Sequence, residues 1–211
     1  KWGEIMPVSR RMELVHYAGK RNSLIIEDDF ENEFVYLQKP TPSLYSLAGG
    51  HGVIYIGSFS RLLLPSIRLS FMVLPPALTE KYRQLADHYN QTASKAEQIA
   101  LCQFIRDGHL ASQTRRLRRL YSQKTKILVQ EIHDIFGKNS QIQLGAAGTS
   151  LTLTVSCRFS GNELKKKALA RGMRLNILRE EPDNLTLLLS GSSMASEKFR
   201  PALQLLKEIL E

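Results

Sequence analysis

The run Ile54-Tyr55-Ile56-Gly57-Ser58-Phe59-Ser60-Arg61 sets two hydroxyls and a cation directly after an apolar stretch, and Arg68 adds a second cation before the next one. Serine hydroxyls and guanidinium groups at a strand end are the groups that hold a phosphate or a carboxylate. The spacing matches no glycine-rich phosphate motif, so an ordinary turn with exposed arginines is the plain alternative. A second candidate is the acidic cluster Glu27-Asp28-Asp29, entered from Leu24-Ile25-Ile26. Adjacent strand residues face opposite ways, which argues against Asp28 and Asp29 working jointly as an acid–base pair or a magnesium site.

Three pieces are therefore candidates for one site: Asp28, the Ser58-Ser60-Arg61 turn, and Arg68. Ligands of open α/β sheets sit at the C-terminal ends of the strands. An aspartate, two hydroxyls and an arginine in such a place suit a phosphorylated pyridine. The carboxylate would pair with the protonated ring nitrogen, while the hydroxyls and Arg68 would anchor the phosphate. The alternative is that Asp28 and Arg68 pair with each other or with their neighbours.

The elements that must position these groups follow from periodicity. Met12, Leu14, Val15 and Ala18 predict a helix from Arg10 to Lys20 with Ser9 as its N-cap. Leu24-Ile25-Ile26 predicts a strand buried on both faces, Val53 to Ile56 a second and Arg68 to Leu74 a third. Between the first two, Glu31 to Gly50 is expected to be loop with a short ordered piece. Helices are expected from Thr79, an N-cap candidate, from Ala93 to Ile105 with Asp107-Gly108 as the stop, and from Leu110 to Phe136. Beyond Gly137 the pattern becomes strands over Ile142–Leu144, Leu151–Val155, Met173–Ile177 and Leu185–Leu189, with helices over Asn162–Arg171 and Ser196–Leu210. The threonines of Leu151–Val155 point to a sheet open to solvent on one side.

The fold class is α/β, in three parts: residues 1–80 a sheet layer, 81–136 bridging helices, and 137–211 a small α+β subdomain. With 211 residues, 43% hydrophobic and 23% charged, the chain suits one large or two small globular units. No apolar run is long enough to cross a bilayer. Its start, without an initiator methionine or the form of a signal peptide, reads as that of a fragment. Cys102 and Cys157 lie far apart without partners at metal-ligand spacing, which favours a reducing, cytoplasmic setting. His16, His51, His88, His109 and His133 are scattered likewise. Much of the net charge of +9 lies in Arg115-Arg116-Leu117-Arg118-Arg119 and Lys165-Lys166-Lys167, read as solvated helix faces.

Longer stretches carry a resemblance. Ile25-Ile26-Glu27-Asp28-Asp29-Phe30-Glu31-Asn32-Glu33-Phe34 and the run from Tyr55 to Pro75 resemble the aminotransferase-like domain of MocR-type regulators, a branch of the GntR transcription factors. Gly3 to Arg11 and Phe104 to Tyr121 are similar to the same family, and together these cover most of the chain to about Lys126. The resemblance implies a partial fold-type I, aspartate aminotransferase-like, large-domain sheet followed by the small α+β subdomain. It implies a homodimer, pyridoxal phosphate as an effector-sensing group, a small amino-compound or phosphorylated effector, and DNA contact only through an N-terminal winged-helix module absent from this chain.

Carried over position by position, the resemblance assigns Asp28, Ser58, Ser60 and Arg68 to the cofactor. The departures fall at three places. Arg61 stands where the family has the lysine that bonds the cofactor covalently, and a guanidinium stays protonated and is a poor nucleophile. Phe30 replaces the tyrosine that would bond the ring oxygen. Leu187 to Met194 resembles a Leu-Arg-Leu-Gly-Phe-Ala-Ser-Leu run, which puts Leu188 where an arginine grips a substrate or effector carboxylate. The resulting expectation is a sensing and dimerising domain with a degenerate site and no transamination. The rivals are an active aminotransferase using another lysine, Lys20 or Lys39, and a purely structural dimerisation module.

Overall fold

The structure, a computed structural model, describes residues 5–29, 41–64, 66–90, 92–137, 140–145, 148–192 and 194–211. The chain divides into two compact units, 5–117 and 118–211, with the junction inside one long helix.

In the first unit, helix α1 (Val8–Lys20) starts two residues earlier than the sequence indicates. Pro7 is the N-cap and its carbonyl accepts from the Arg11 amide at 3.0 Å, so Ser9 lies inside the first turn and does not cap it. Strands β1 (Ile25–Asp28), β2 (Val53–Ser58) and β3 (Ser70–Val73) form a sheet in that order, β1 parallel to β2 and β3 antiparallel to it. A short helix, α2 (Leu44–Leu47), precedes β2 and is capped by Ser43, whose hydroxyl accepts from the Ser46 amide.

The expectation that β1 is buried on both faces is not met. Ile26 is 65% exposed and Leu24 is exposed, because one face of this sheet carries little cover. Helix α3 (Pro76–Ala86) begins at the second of two prolines. Pro75 caps it and Pro76 takes the first position, where its missing N–H costs nothing. Thr79 instead donates its hydroxyl to the Pro75 carbonyl from within the first turn. Helix α4 (Lys95–Arg106) is capped by Ser94 and followed by Gly108 at φ 77°, the stop that the sequence indicated. Neither α3 nor α4 buries a residue.

Helix α5 (His109–Phe136) carries the chain into the second unit. There β4 (Gln141–Leu144), β5 (Ser150–Ser156), β6 (Asn176–Glu181) and β7 (Asn184–Ser190) form an antiparallel sheet in the order β4-β5-β7-β6. Leu151, Leu153 and Val155 point from β5 into a core with Ile132 of α5, with α6 (Gly161–Ala170), and with α7 (Phe199–Leu210), which a 3-10 turn over Ser196–Lys198 leads into. The threonine face of β5 is less open than its composition implies, since Thr152 is buried and Thr154 is half-buried against Thr186. Strand β6 lies later than expected. The charged run Arg179-Glu180-Glu181 is extended because it ladders with β7 across a tight turn at Pro182-Asp183, where Asp183 takes φ 60°.

Candidate ligand-binding site

The register sorts the residues of the first unit's sheet onto two faces. Asp28 lies beside Ile56, and Ser58, two residues on, lies beside Ser70. Side chains alternate along a strand, so Asp28, Ile56, Ser58 and Ser70 share one face with Ile26, Ile54 and Met72. That face is open: Asp28 and Ser70 are exposed and Met72 is 51% exposed. Glu27, Tyr55, Gly57, Phe71 and Val73 share the other face.

The same alternation divides the acidic cluster. Glu27 is buried. Its carboxylate pairs with the Arg11 guanidinium at 3.2 Å and accepts from the amides of Leu44 and Tyr45 at 2.8 and 3.0 Å, which ties α1 and the start of α2 to β1. Asp29 accepts from the Tyr55 hydroxyl at 2.8 Å. Asp28 has no hydrogen bond or ion pair through its side chain among the described residues. Of three successive carboxylates, two are spent on the fold and the middle one is free on the open face.

The turn after β2 is braced from within. Ser58 Oγ accepts from the Ser60 amide at 3.3 Å, Ser60 Oγ donates to the Ile67 carbonyl at 2.7 Å, and the Phe59 amide donates to the Leu69 carbonyl. Buried Leu62 and Leu69 hold its two limbs. As an acceptor, Ser58 keeps its own proton to donate, whereas Ser60 has committed its proton and keeps only lone pairs. Arg61 and Arg68 are exposed, and Arg68 has no ion pair among the described residues. Asp28 and Arg68 therefore do not pair with each other.

Gly57 has a local reason of its own. A Cβ there would collide with Cζ of Phe71, whose ring packs at 5.3 Å from that of Phe59 and 6.1 Å from that of Tyr55. The glycine lets the ring lie flat against the strand just ahead of Ser58.

The structure thus brings Asp28, Ser58, Ser60, Arg61 and Arg68 to the same end of one small sheet. Phe30 lies outside the described residues. Leu188 belongs to the second unit, half-buried on β7 between Thr152 and Asn176. Arg11, Tyr55 and Phe71 do not stand out in the sequence, and Glu27 does so only as part of the acidic cluster, although period-two alternation through Glu27-Asp28-Asp29 was a usable signal for its separate role. Among the described residues no group of three or more histidines, cysteines or carboxylates gathers to hold a metal, and no helix is long and apolar enough to cross a membrane.

No family model matches the chain. The uncharacterized HTH-type transcriptional regulator YdeL of Bacillus subtilis is 34% identical over 209 residues, covering 97% of this chain and 45% of YdeL. The probable rhizopine catabolism regulatory protein MocR of Rhizobium meliloti is 33% identical over 179 residues, covering 85% of this chain and 36% of MocR. The chain is a relative of the MocR-type, GntR-family regulators. It spans less than half the length of these two relatives. Its fold is that of the fold-type I aminotransferases: the kynurenine aminotransferase of Pyrococcus horikoshii matches 99% of this chain and 53% of its own, with a TM-score of 0.79 at 19% identity.

Proposed function

We propose that this chain is the effector-sensing and dimerising part of a MocR-type transcriptional regulator, with a degenerate pyridoxal-phosphate site that binds its ligand without a covalent bond. The observation that carries the reading is the free carboxylate of Asp28 on the same open face as Ser58, with Arg61 in the turn that follows. The donor set fits the group. Asp28 would take the ring nitrogen, the Ser58 hydroxyl and the Arg68 guanidinium would take the phosphate, and Ser60, by donating its hydroxyl to the Ile67 carbonyl, would hold the turn in shape. When bound, pyridoxal phosphate supplies an electron-withdrawing ring. In this chain Arg61 adds a permanent cation beside it and no nucleophile, so transamination is absent.

Leu188 leaves no guanidinium at the position where the family grips a carboxylate, so the effector would be held by other groups or be the phosphorylated compound itself. On this reading residues 1–80 are the site-bearing part, 81–136 the bridging helices and 137–211 the small subdomain. DNA contact belongs to a winged-helix module outside this chain, as the helix-turn-helix name of YdeL supports. The homodimer and the cytoplasmic setting are part of the same proposal.

Absorbance spectroscopy with added pyridoxal phosphate tests it, on the natural chain and on Arg61→Lys. A covalent spectrum in the variant alone is the expected outcome, and one in the natural chain overturns the degenerate site in favour of an aminotransferase using another lysine, which borohydride reduction and peptide mapping would locate. A thermal midpoint that pyridoxal phosphate and inorganic phosphate both leave unmoved means a purely structural module, since a ligand of the native state must raise it.

A further inference from the structure

Asp28 has no side-chain partner of its own among the described residues, so something else must hold it at a defined angle. Its two neighbours do so from the opposite face. Glu27 is fixed on one side by Arg11 and the amides of α2, and Asp29 on the other by the Tyr55 hydroxyl. The Asp29 amide also donates to the Ile56 carbonyl at 3.0 Å, extending the β1–β2 ladder one residue past the strand. Among the described residues, the phenol–carboxylate bond is a side-chain tie at the very end of this strand. Tyr55 is itself set in place: its ring meets that of Tyr45 edge-on at 6.4 Å and lies 6.1 Å from that of Phe71.

We infer that Tyr55 is a positioning residue, which fixes the angle of Asp28 toward a pyridine ring nitrogen by clamping Asp29 from the other face of the sheet. The inference rests on the proposed site. A binding group held by packed and hydrogen-bonded support loses selectivity when that support is loosened, before it loses the fold. The bond at stake is a neutral donor on a carboxylate, and removing the hydroxyl while keeping the ring leaves the aromatic packing in place.

Pyridoxamine 5′-phosphate is the probe, because its amine cannot bond covalently to stray lysines, and inorganic phosphate is the control that ignores Asp28. In Tyr55→Phe the affinity for pyridoxamine 5′-phosphate should fall about tenfold, the equivalent of one of the weaker hydrogen bonds to a charged group. Affinity for inorganic phosphate and the thermal midpoint without ligand should stay as in the natural chain. In an Asp28→Ala background, Tyr55→Phe should cost nothing further, because the two act as one unit. An equal loss for both ligands, or no loss for either, overturns the role of Tyr55 while leaving the site intact. Failure of the natural chain to bind pyridoxamine 5′-phosphate overturns the proposed site instead, and is seen before any variant is made. Should Tyr55→Phe not fold, Asp29→Asn carries the same test, with a smaller loss because the amide oxygen still accepts from the phenol.

Discussion

The two units are built on different terms. In the second, Ile132, Leu151, Leu153, Leu164 and Leu187 are fully buried, and a four-stranded sheet packs one face against helices on a continuous core. In the first, a three-stranded sheet has only one face held, by Glu27, Tyr55 and the aromatic rings, while Ile26 and Met72 stand open on the other. Helices α3 and α4 bury nothing, and Ile99 of α4 is 63% exposed. A core that closes on itself serves stability. A sheet that leaves one face and its strand ends uncovered presents polar groups, and here the open face is the one that carries Asp28 and Ser58. Among the described residues, the large buried core and the candidate ligand groups therefore lie in different units.

That contrast can be broken. Leu153→Ala removes fully buried methyls and should destabilise the second unit by about 2–5 kcal/mol, whereas Ile26→Ser on the open face should stay within about 0.5 kcal/mol. Urea denaturation of the two variants measures both, and comparable losses would mean that the open face is covered in solution.

Gly57→Ala should cost about 1–3 kcal/mol, since the new methyl displaces the Phe71 ring from its seat. Its effect should be confined to the first unit. Amide exchange is expected to show protection lost over 55–73 and unchanged over 150–190, and a uniform loss would erase the distinction between the units.

The smallest effect is a pH dependence in the second unit. Ser160 and Glu163 form a capping box at the start of α6, with the Ser160 hydroxyl and amide both bonded to the Glu163 carboxylate. These bonds, helped by Lys167 and Lys166, hold Glu163 below the ordinary glutamate range. A group lowered in the folded state contributes stability that is present above its unfolded value and lost as pH falls through the folded one. The first turn of α6 should therefore fray on acidification through and below the usual glutamate range while the core stays closed, as NMR titration of Glu163 and of the Gly161–Leu164 amides would show. No change there would mean that the cap contributes nothing.

Much of this was legible in the sequence. The helix over Leu110–Phe136, the Gly108 stop and the strands around Val53 and Leu185 follow from periodicity and from glycine, both local properties. The cofactor-like set at Asp28, Ser58, Ser60, Arg61 and Arg68 was legible as types and spacing. What failed were boundaries decided by neighbours. Residue type points to Ser9 and Thr79 as caps, but Pro7 and Pro75 hold those places and set the chain's direction first. Strand β6 lies later than periodicity indicates because the run Arg179-Glu180-Glu181 carries no apolar alternation, and the ladder with β7 keeps it extended.

By itself the sequence determined the chemical inventory: three carboxylates in a row, a serine-rich turn, an arginine where a relative's lysine would react, and the apolar periods that make the helices. Only the tertiary structure decided which carboxylate is free. Composition cannot distinguish Glu27, Asp28 and Asp29. The distinction arises when the parallel ladder fixes their directions, Arg11 and the α2 amides claim the first, Tyr55 claims the third, and the second is left facing the open side of the sheet.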